Sequence, residues 1–471
     1  MPAVLNPIWL WLLILSVFIG GFSGNLGAVT DGAFASAKDA VMTIALPLAG
    51  LFALWLGIMR LAEMAGLIKV LARVLQPITR RLFPDVPPDH PALGSMAMNI
   101  AANMLGLGNA ATPLGLRAMR DLERLNPYPG VASNAMCTFL AINTSSVQLI
   151  PTTAVAILSV FGSRNPTAII GSAFFATVCS TIVGITAVKL LSRLPAYRLP
   201  APASPVDIEA TKEIAVAGAE EEAGVPRPGD DIPPITRRGW AILVLYGLGI
   251  LALYVSLAFP EACNAFFAAL RGLFPFLPEI AVAPLSPELA QMGRFSRLIG
   301  VLALIAVPVM LTFFPLYAWL RGVKVYEEFV EGAKEGFGVA TRIIPFLVAI
   351  LVAVRMFREA GGISLLAKVL GPVLEKVGFP VDLLPMVLVR PLSGGATTGI
   401  FTDLVKTHGP DSMTSLMAGT IFGSTETTFY VIAVYFGAVG IRRTRHAVPA
   451  GLLADFAGVV ASIVICRLMF G

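Results

Sequence analysis

The sequence predicts an all-α integral membrane protein built from two inverted repeats, each with a re-entrant helical hairpin and a broken transmembrane helix. Composition is the first reason, because hydrophobic residues fill 56% of the 471 positions and charged residues only 13%, against about 25% charged in soluble domains. Long apolar runs are the second: residues 8–22, 241–259 and 298–320 approach or reach the length that crosses about 30 Å of hydrocarbon. The third is that the two halves of the chain repeat one another.

Membrane topology explains the positive charge of the chain better than a nucleic-acid partner does. The formal net charge is +5, yet Lys and Arg fall mainly in short loops between apolar runs, where the topology of a membrane protein places them. The four cysteines, at positions 137, 179, 263 and 466, lack the spacing of metal ligands or of a disulfide framework. We therefore expect no nucleic acid, no metal site and no cofactor, and the lipid bilayer is a predicted partner.

The first apolar run, residues 8–22, has two interpretations. The triplet at 35–37, Ala-Ser-Ala, resembles a signal-peptidase site. In a signal peptide a basic residue precedes the apolar region, but here no Lys or Arg precedes the run. A retained first helix is the preferred interpretation.

A segment rich in Pro, Ala and Glu, residues 195–236, interrupts the apolar pattern. Its composition cannot bury a core, so we expect a solvated, flexible, cytoplasmic linker. The linker divides the chain into a membrane half at 1–194, with a first repeat from about residue 39, and a second half at 237–471, with a second repeat from about residue 335.

The two halves repeat the same order of elements. Pro47 matches Pro345, and Arg60 matches Arg355 in nearly the same register. Each half reads as a long apolar helix, an amphipathic stretch, a Gly-rich segment, a polar-interrupted helix and a final apolar helix. The amphipathic stretches are residues 67–82 and 363–377. Their apolar residues recur three and four apart, a pattern typical of helices that lie along the membrane interface.

The distribution of Lys and Arg gives the repeats opposite orientations. In the first repeat eight basic residues lie from Arg60 to Arg124, on the side of the amphipathic stretch, and the opposite turn has only Arg164. In the second repeat the crowded turn is the other one, at 442–445. Because basic residues resist translocation, we expect about nine crossings, with the N-terminus and linker inside and the C-terminus outside. Inverted repeats suit alternating access around a site at mid-depth.

Two segments rich in small residues predict the hairpins. Residues 99–115 contain too many Gly, Asn and Pro for a lipid-facing helix, and residues 390–398 have a similar small, hydroxyl-rich character. Irregular backbone is tolerated in hydrocarbon only where protein buries it or water reaches it, so each hairpin should line a cavity. The alternative is that the small residues only let helices pack closely. The concentration of amides at Asn99, Asn103 and Asn109 argues against it.

A polar interruption follows in each half and predicts a broken helix. The first carries Asn143, Gln148 and Pro151, and the second is residues 424–428, STETT. Free helix ends at such a break offer amides to anions and carbonyls to cations. Glu426 is the most informative residue, because a carboxylate inside an apolar helix must be paired, protonated or hydrated. Its alternative role is that of a neutral, buried hydrogen-bonding residue.

Other polar residues near these segments have competing roles. Arg390 and Arg355 could pair with Glu426 or with an anionic solute, or they could snorkel to the interface. Asp455 could join a polar network in the last helix. The run 408–412 has the features of a helix start, with an early Pro and polar caps.

Sequence signatures of enzymes are absent, and we expect no catalytic activity. The histidines at 90, 408 and 446 form no HExxH motif, and the sequence has neither a GxGxxG nor a GxxxxGK[ST] motif. An intramembrane hydrolase that pairs Ser393 with His408, or Ser424 with Glu426, has no motif to support it.

Four stretches carry a resemblance to known families. Residues 103–119, NMLGLGNAATPLGLRAM, resemble the signature of spore maturation protein A. Residues 390–395 with 408–412, and residues 423–440, GSTETTFYVIAVYFGAVG, resemble spore maturation protein B. The resemblance covers nearly all of both halves, so the chain looks like an A–B fusion. It departs from the B motif at Glu426, where an aspartate is common.

The resemblance implies a membrane protein of the nucleoside-recognition, or Gate-domain, group, with two inverted Gate-type repeats. That group is related to concentrative nucleoside transporters and to the membrane part of a bacterial ferrous-iron transporter. The kinship implies a transport-like fold with hairpins but does not identify a solute. In spore formers the A and B proteins are associated with dehydration of the spore core.

The leading hypothesis is a multi-pass, transporter or permease-like protein of the bacterial cytoplasmic membrane for a small polar or anionic solute, with a coupling ion and homo-oligomerisation left open. The alternative is a membrane scaffold for envelope or spore assembly without transport. Water access to Glu426 separates the two, because a dry centre favours the scaffold. The predicted path residues are Asn103, Asn109, Asn143, Gln148, Arg390, Ser393, Ser424, Glu426 and Thr427.

Overall fold

The regular structure of the chain is helical, as predicted. A computed structural model describes residues 2–88, 90–106, 108–128, 130–145, 147–199, 233–273, 294–365, 368, 374 and 378–471. Within these ranges every named element is a helix, and extended pairing is limited to an isolated bridge between Val131 and Arg443.

The first half contributes helices α1 to α9. A π-helical turn, Ala40–Ala45, joins α2 to α3, so that Leu26–Met64 forms a single helix of 39 residues. The helices are α1 (Pro2–Phe22), α2 (Leu26–Asp39), α3 (Leu46–Met64), α4 (Leu67–Leu82), α5 (Pro91–Met104), α6 (Gly108–Glu123), α7 (Asn134–Thr144), α8 (Thr152–Val160) and α9 (Ile169–Leu191).

The second half contributes helices α10 to α18 among its described residues. They are α10 (Arg237–Ala258), α11 (Pro260–Leu273), α12 (Arg294–Leu320), α13 (Val325–Glu359), α14 (Leu384–Val389), α15 (Gly394–His408), α16 (Met413–Ser424), α17 (Thr428–Ala438) and α18 (Ala447–Phe470). Short 3₁₀ turns occupy Pro195–Tyr197 and Val381–Leu383.

Six helices in the described part of the chain are long and apolar enough to cross a membrane. They are Leu26–Met64, Ile169–Leu191, Arg237–Ala258, Arg297–Leu320, Val325–Glu359 and Ala447–Phe470. The protein is therefore a multi-pass membrane protein. The prediction of about nine crossings adds the shorter apolar helix Trp9–Phe22 and the two interrupted helices, and for these three it stays a prediction.

Helices α3 and α13, which the sequence duplication pairs with one another, cross closely and run antiparallel. A Cβ atom added to Gly332 would lie 2.6 Å from the carbonyl oxygen of Leu56, and one added to Gly336 would clash with the backbone of Ala53. Residue numbers therefore rise along α13 as they fall along α3. Only glycine allows the two backbones to approach this closely.

The last helices of the two halves, α9 and α18, are also antiparallel. Ser180 Oγ donates a hydrogen bond of 2.8 Å to the carbonyl of Ala454, while Gly171, nearer the start of α9, lies against Met469 near the end of α18. Two pairs of counterpart helices thus run in opposite directions. The prediction of inverted repeats is confirmed.

The two halves share a hydrophobic core. Leu48 and Ile157 from the first half cluster with Leu347 and Phe401 from the second, and all four side chains are fully buried. Packing between the halves therefore does not depend on the linker that joins them in sequence.

The structure describes one of the two predicted amphipathic stretches and only the ends of the predicted linker. The stretch at 67–82 forms helix α4, with Ile68 buried and Val74 exposed. Most of the stretch at 363–377, and linker residues 200–232, lie outside the described residues. The start of the predicted flexible linker is held in place, because Arg445 Nε donates a hydrogen bond of 3.0 Å to the carbonyl of Tyr197.

Candidate functional site

Helices α5 and α6 form the first predicted hairpin. The chain reverses beside Gly106, whose φ of +74° favours glycine. Asn99 Nδ2 ties the two arms together, donating hydrogen bonds to the carbonyl of Ala111 at 2.7 Å and to Tyr435 Oη at 3.3 Å. The amide of Asn99 therefore stabilises the hairpin from within.

Helices α14 and α15 form the second hairpin, and Ser393 begins its longer arm. Ser393 is the N-cap of α15, since its hydroxyl accepts a hydrogen bond of 3.2 Å from the amide of Ala396. The hydroxyl of Thr398 donates to the carbonyl of Gly394 at 2.9 Å. Ser393 thus satisfies a free amide at the start of α15, and Thr398 bonds to a carbonyl one turn earlier in the same helix.

The two broken helices meet at their breaks. Helix α7 ends at Thr144 and α8 begins at Thr152, whereas α16 ends at Ser424 and α17 begins at Thr428. The amide of Glu426 donates a hydrogen bond of 3.0 Å across to the carbonyl of Thr144. Glu426 therefore lies in a non-helical segment, which corrects the expectation that it sits inside a helix.

A cavity of about 340 Å³ lies where the hairpin tips and the breaks converge. Gly106 from the first tip and Gly394 and Gly395 from the second are part of its wall. The polar side chains that line it are Gln148, Thr152, Thr153, Arg390, Thr398, Glu426 and Thr427. The convergence of both repeats on one polar cavity agrees with the geometry of inverted-repeat transporters.

Arg390 is the cation of this cavity, and it is 4% exposed. Its Nη2 donates to the carbonyl of Phe422 at 2.8 Å and to that of Thr425, and its Nε donates to Thr425 Oγ1 at 3.2 Å. The guanidinium also lies over the Phe422 ring, 4.5 Å from its centroid. Arg390 thus satisfies the carbonyl end of α16, and snorkelling to the interface is excluded.

Glu426 turns its side chain toward the cavity. Its side chain is 36% exposed, and Oε2 lies 4.0 Å from Arg390 Nη2. The predicted pairing with Arg390 is therefore present as a loose ion pair. Arg355 has a different partner, because its Nε lies 2.7 Å from Glu359 Oε1 on the same helix.

An apolar wall completes the cavity on the side of the crossed helices. Phe52, Trp55 and Met59 extend from α3, and Ile343 extends from α13. The cavity therefore combines one cation, one carboxylate, neutral hydrogen-bonding groups and an aromatic surface. Sites for small molecules commonly combine an apolar wall with a few convergent polar groups.

Four predicted path residues lie outside the cavity wall. Asn103 Nδ2 donates to Asn143 Oδ1 at 2.9 Å, and this bond joins the first hairpin to α7. Ser424 is fully buried and bonds to Ser462 Oγ at 3.0 Å. Ser393, as the N-cap of α15, is likewise structural. The side chain of Asn109 lies outside the described residues.

The structure adds cavity residues that sequence reasoning missed. Thr152 and Thr153 follow the first break, and Thr398 lies one turn into α15. The two breaks are counterparts in the duplication, so the hydroxyl pair after Pro151 corresponds to the one after Glu426 and could have been found by that comparison. Nothing in the sequence indicated that Trp55 lines a cavity, because aromatic residues are usual in apolar helices.

Polar residues flanking the site are engaged in structural contacts. Asp403 pairs with Arg358 at 2.7 Å, and Ser412 caps α16 by accepting from the amide of Ser415 at 3.2 Å, as expected for a helix start. Asp455 does join a polar network, since Thr428 Oγ1 donates to its Oδ2 at 2.6 Å. Within the described residues no three His, Cys, Asp or Glu side chains are placed to hold a metal ion.

The chain is similar to two proteins of one organism. The Gate family model, described as nucleoside recognition, matches residues 45–164 and 340–442, which contain both hairpins and both breaks. Spore maturation protein B of Bacillus subtilis (strain 168) is 45% identical over 175 residues, which are 37% of this chain and 98% of that protein. Spore maturation protein A of the same organism is 43% identical over 182 residues, which are 39% of this chain and 92% of that protein.

A solved structure also aligns with the chain, though weakly. It is the crystal structure of the Alcanivorax borkumensis YdaH transporter, described as having an unusual topology. The alignment covers 99% of this chain and 98% of that chain at 16% identity, with a TM-score of 0.38. That score is too low to indicate a shared fold.

Proposed function

The chain belongs to the spore maturation protein A and B families, joined in one polypeptide, and on that premise we propose that it is a membrane permease for a small polar or anionic solute. One observation carries the proposal: the tips of both hairpins and the breaks of both interrupted helices line the same cavity. Polar cavities at the interface between inverted repeats form the solute sites of many transporters.

The chemistry of the wall favours the proposed solute class. Arg390 supplies a cation, and Gln148 and Thr427 supply neutral hydrogen-bonding groups. Charge-assisted hydrogen bonds from a guanidinium suit an anionic group. The volume of about 340 Å³ lies at the lower end of small-molecule pockets, about 300–1,000 Å³. We assign solute contact to these residues and to Glu426.

We propose alternating access, which the opposite directions of the counterpart helices support. Because counterpart helices of the two halves are antiparallel, an arrangement that opens the cavity to one side has an equivalent that opens it to the other. In this proposal the closely packed helices α3 and α13 serve as the frame, and the hairpins move against it.

The proposed location is the bacterial cytoplasmic membrane, with the N-terminus and the linker on the cytoplasmic side. The support is the excess of Lys and Arg on one side of the first repeat, since basic residues resist translocation. A reporter fused within residues 200–232 tests the orientation, and activity of a periplasm-only reporter at that position would contradict it.

Uptake by reconstituted vesicles tests the permease proposal. Wild-type protein is compared with empty vesicles on a panel of nucleosides, dicarboxylates and metal ions. We expect saturable uptake of a panel member, reduced at least about tenfold by Glu426→Gln, which corresponds to about 1.4 kcal/mol. Glu327→Gln, at an exposed residue of the first turn of α13, is the matched control and should transport normally. Uptake no greater than that of empty vesicles, or undiminished uptake by Glu426→Gln, would contradict the proposal.

A scaffold is the second candidate, and one observation favours it. In helix α10 only Gly239 and Ala258 are buried among the described residues, and Leu245 is 73% exposed. A span with so little packing inside its own chain leaves a face open to lipid or to a partner helix. Loss of complex formation on substitution of Leu245, with wild-type vesicles inactive toward every solute, would support this candidate over the permease.

A further inference from the structure

A second carboxyl group lies behind the cavity wall, in the middle of the last helix. Asp455 is the ninth residue of α18, about 12 Å from its start at 1.5 Å per residue, and is 5% exposed. Thr428 Oγ1 donates a hydrogen bond of 2.6 Å to Oδ2. Oδ1 is buried and finds no hydrogen-bond partner among the described residues.

An ionised carboxylate in this position would be costly. A buried carboxylate needs several hydrogen bonds or a paired cation, and an unpartnered oxygen forfeits that stabilisation. The price falls sharply when the group is neutral, which is why ionisable residues inside membrane proteins commonly pair or carry a proton.

The surroundings of Asp455 are polar, and within the part of the chain that the structure describes they contain a single cation. Helix α18 packs against α7, α9, α16 and α17, and beside Asp455 these elements present hydroxyl groups. Gly451 lies against Thr144 and Thr428, and Gly458 lies against Thr425 and Ser180. Among the described residues, the charged groups that act on Asp455 are Arg390 and Glu426.

The described charged groups around Asp455 include fewer cations than carboxyl groups. Arg390 contributes one positive charge, and Glu426 and Asp455 contribute one carboxyl each. Arg390 already lies 4.0 Å from Glu426, so it can neutralise one carboxylate and leaves the other in excess. Unit charges interact strongly in an interior of low dielectric constant, so an uncompensated charge there is unfavourable.

We propose that Asp455 is a proton-binding site that couples proton movement to the solute. The inference rests on the proposed permease function. With a proton on Asp455 the three groups are together neutral. An anionic solute that contacts Arg390 brings a further negative charge into the same space, so its entry favours proton retention by the carboxyl groups. Solute and proton then cross in the same direction.

The duplication supports a role particular to the second half. Thr177 is the ninth residue of α9, as Asp455 is of α18, and its hydroxyl donates a hydrogen bond of 2.8 Å to the carbonyl of Ser145 in the first break. Thr177 thus contacts the first break through a neutral hydroxyl, whereas Asp455 contacts the residue that follows the second break, Thr428, through a carboxyl group.

Infrared spectroscopy of the purified protein tests the proton site without any solute. We expect a carbonyl band of about one protonated carboxylic acid at neutral pH, lost in the isosteric variant Asp455→Asn. Thr428→Val should shift the band because it removes the hydrogen bond to Oδ2. Asp411→Asn, at an exposed carboxyl bonded to Ser163, is the matched control and should keep the band. Identical spectra for wild type and Asp455→Asn would overturn the proposal.

The charge count also predicts how the infrared band of Asp455 depends on pH. In Glu426→Gln one cation faces one carboxyl, so the band should disappear at lower pH than in the wild type. A structural hydrogen bond alone would not produce this shift. An unchanged titration in Glu426→Gln would show that the groups do not share a charge balance and would overturn the inference.

Coupling is tested in vesicles that contain a pH-sensitive dye. Solute uptake by the wild type should acidify the interior, and Asp455→Asn should abolish the acidification while still exchanging solute across the membrane. Uptake without acidification would overturn the coupling and leave the permease standing. If no solute is taken up, the permease proposal fails, and the infrared band still decides whether Asp455 holds a proton.

Discussion

The backbone amide of Glu426 donates a hydrogen bond of 3.0 Å to the carbonyl of Thr144, so the break in one half of the chain is closed by the break in the other. Unsatisfied backbone is costly in hydrocarbon. The break in each half therefore depends on contact with the other half. The shared core and the cavity, to which both halves contribute, show the same close contact.

The crossing of α3 and α13 should be highly sensitive to an added methyl group. Gly336→Ala would place its Cβ against the backbone of Ala53, so we expect destabilisation of about 1–3 kcal/mol. Thermal unfolding of the detergent-solubilised protein measures the effect. Gly338→Ala on the same helix has nothing within 4 Å of the added atom, and its unfolding temperature should be unchanged or higher. Equal effects of the two variants would refute the close crossing.

Arg390 should stabilise the second break whether or not a solute is bound. Arg390→Gln leaves the carbonyls of Phe422 and Thr425 without this donor, at a cost of about 1–3 kcal/mol for each buried group. We expect a lower unfolding temperature and loss of uptake. Arg238→Gln, at an exposed residue in the first turn of α10, should change neither property. Normal stability of Arg390→Gln would count against the assigned hydrogen bonds.

His446 should make stability depend on pH. Burial, together with the positive charges of Arg445 and Lys189, lowers the pKa of His446 from 6.5 to about 4. Between these values the unfolded chain binds a proton that the folded chain does not, so stability falls as the pH decreases from about 6.5 toward about 4. Thermal unfolding across that range measures the slope.

Two substitutions isolate the contribution of His446. His446→Gln cannot be protonated, so its unfolding temperature should vary less between about pH 6.5 and about pH 4 than that of the wild type. His408→Gln alters a partly exposed histidine that lies 3.4 Å from Asp382 and should leave the slope attributed to His446 in place. A wild-type slope preserved in His446→Gln would contradict the assignment.

Much of the fold could be predicted because the membrane imposes simple rules on sequence. Apolar runs predicted the spans, and the match of Arg60 with Arg355 predicted the repeat that the antiparallel helices confirm. The π-helical turn at Ala40–Ala45 left no readable signal. Nor did the contact of Arg445 with Tyr197, since long-range hydrogen bonds depend on the packed structure.

The structure brings some of the predicted path residues to the cavity and places others away from it, and the difference has one physical cause. Gln148, Arg390, Glu426 and Thr427 do line the cavity. Ser393 and Ser424 have hydrogen-bond partners within the protein instead. A polar residue near a broken helix satisfies either the backbone or a solute, and sequence alone does not separate the two roles. The apolar wall could not be predicted because its residues resemble any other part of a span.

The accessibility of Thr152 tests the central claim most directly. Thr152 lines the cavity beside the first break, so Thr152→Cys in a chain without the native cysteines should react with a membrane-impermeant thiol reagent added to either side of the membrane. Ser172→Cys, at a fully buried residue bonded to Thr420, should react from neither side. Reaction of Thr152→Cys from both sides is the predicted result. If Thr152→Cys reacts from neither side, the centre of the protein is dry, and this result would contradict a permease.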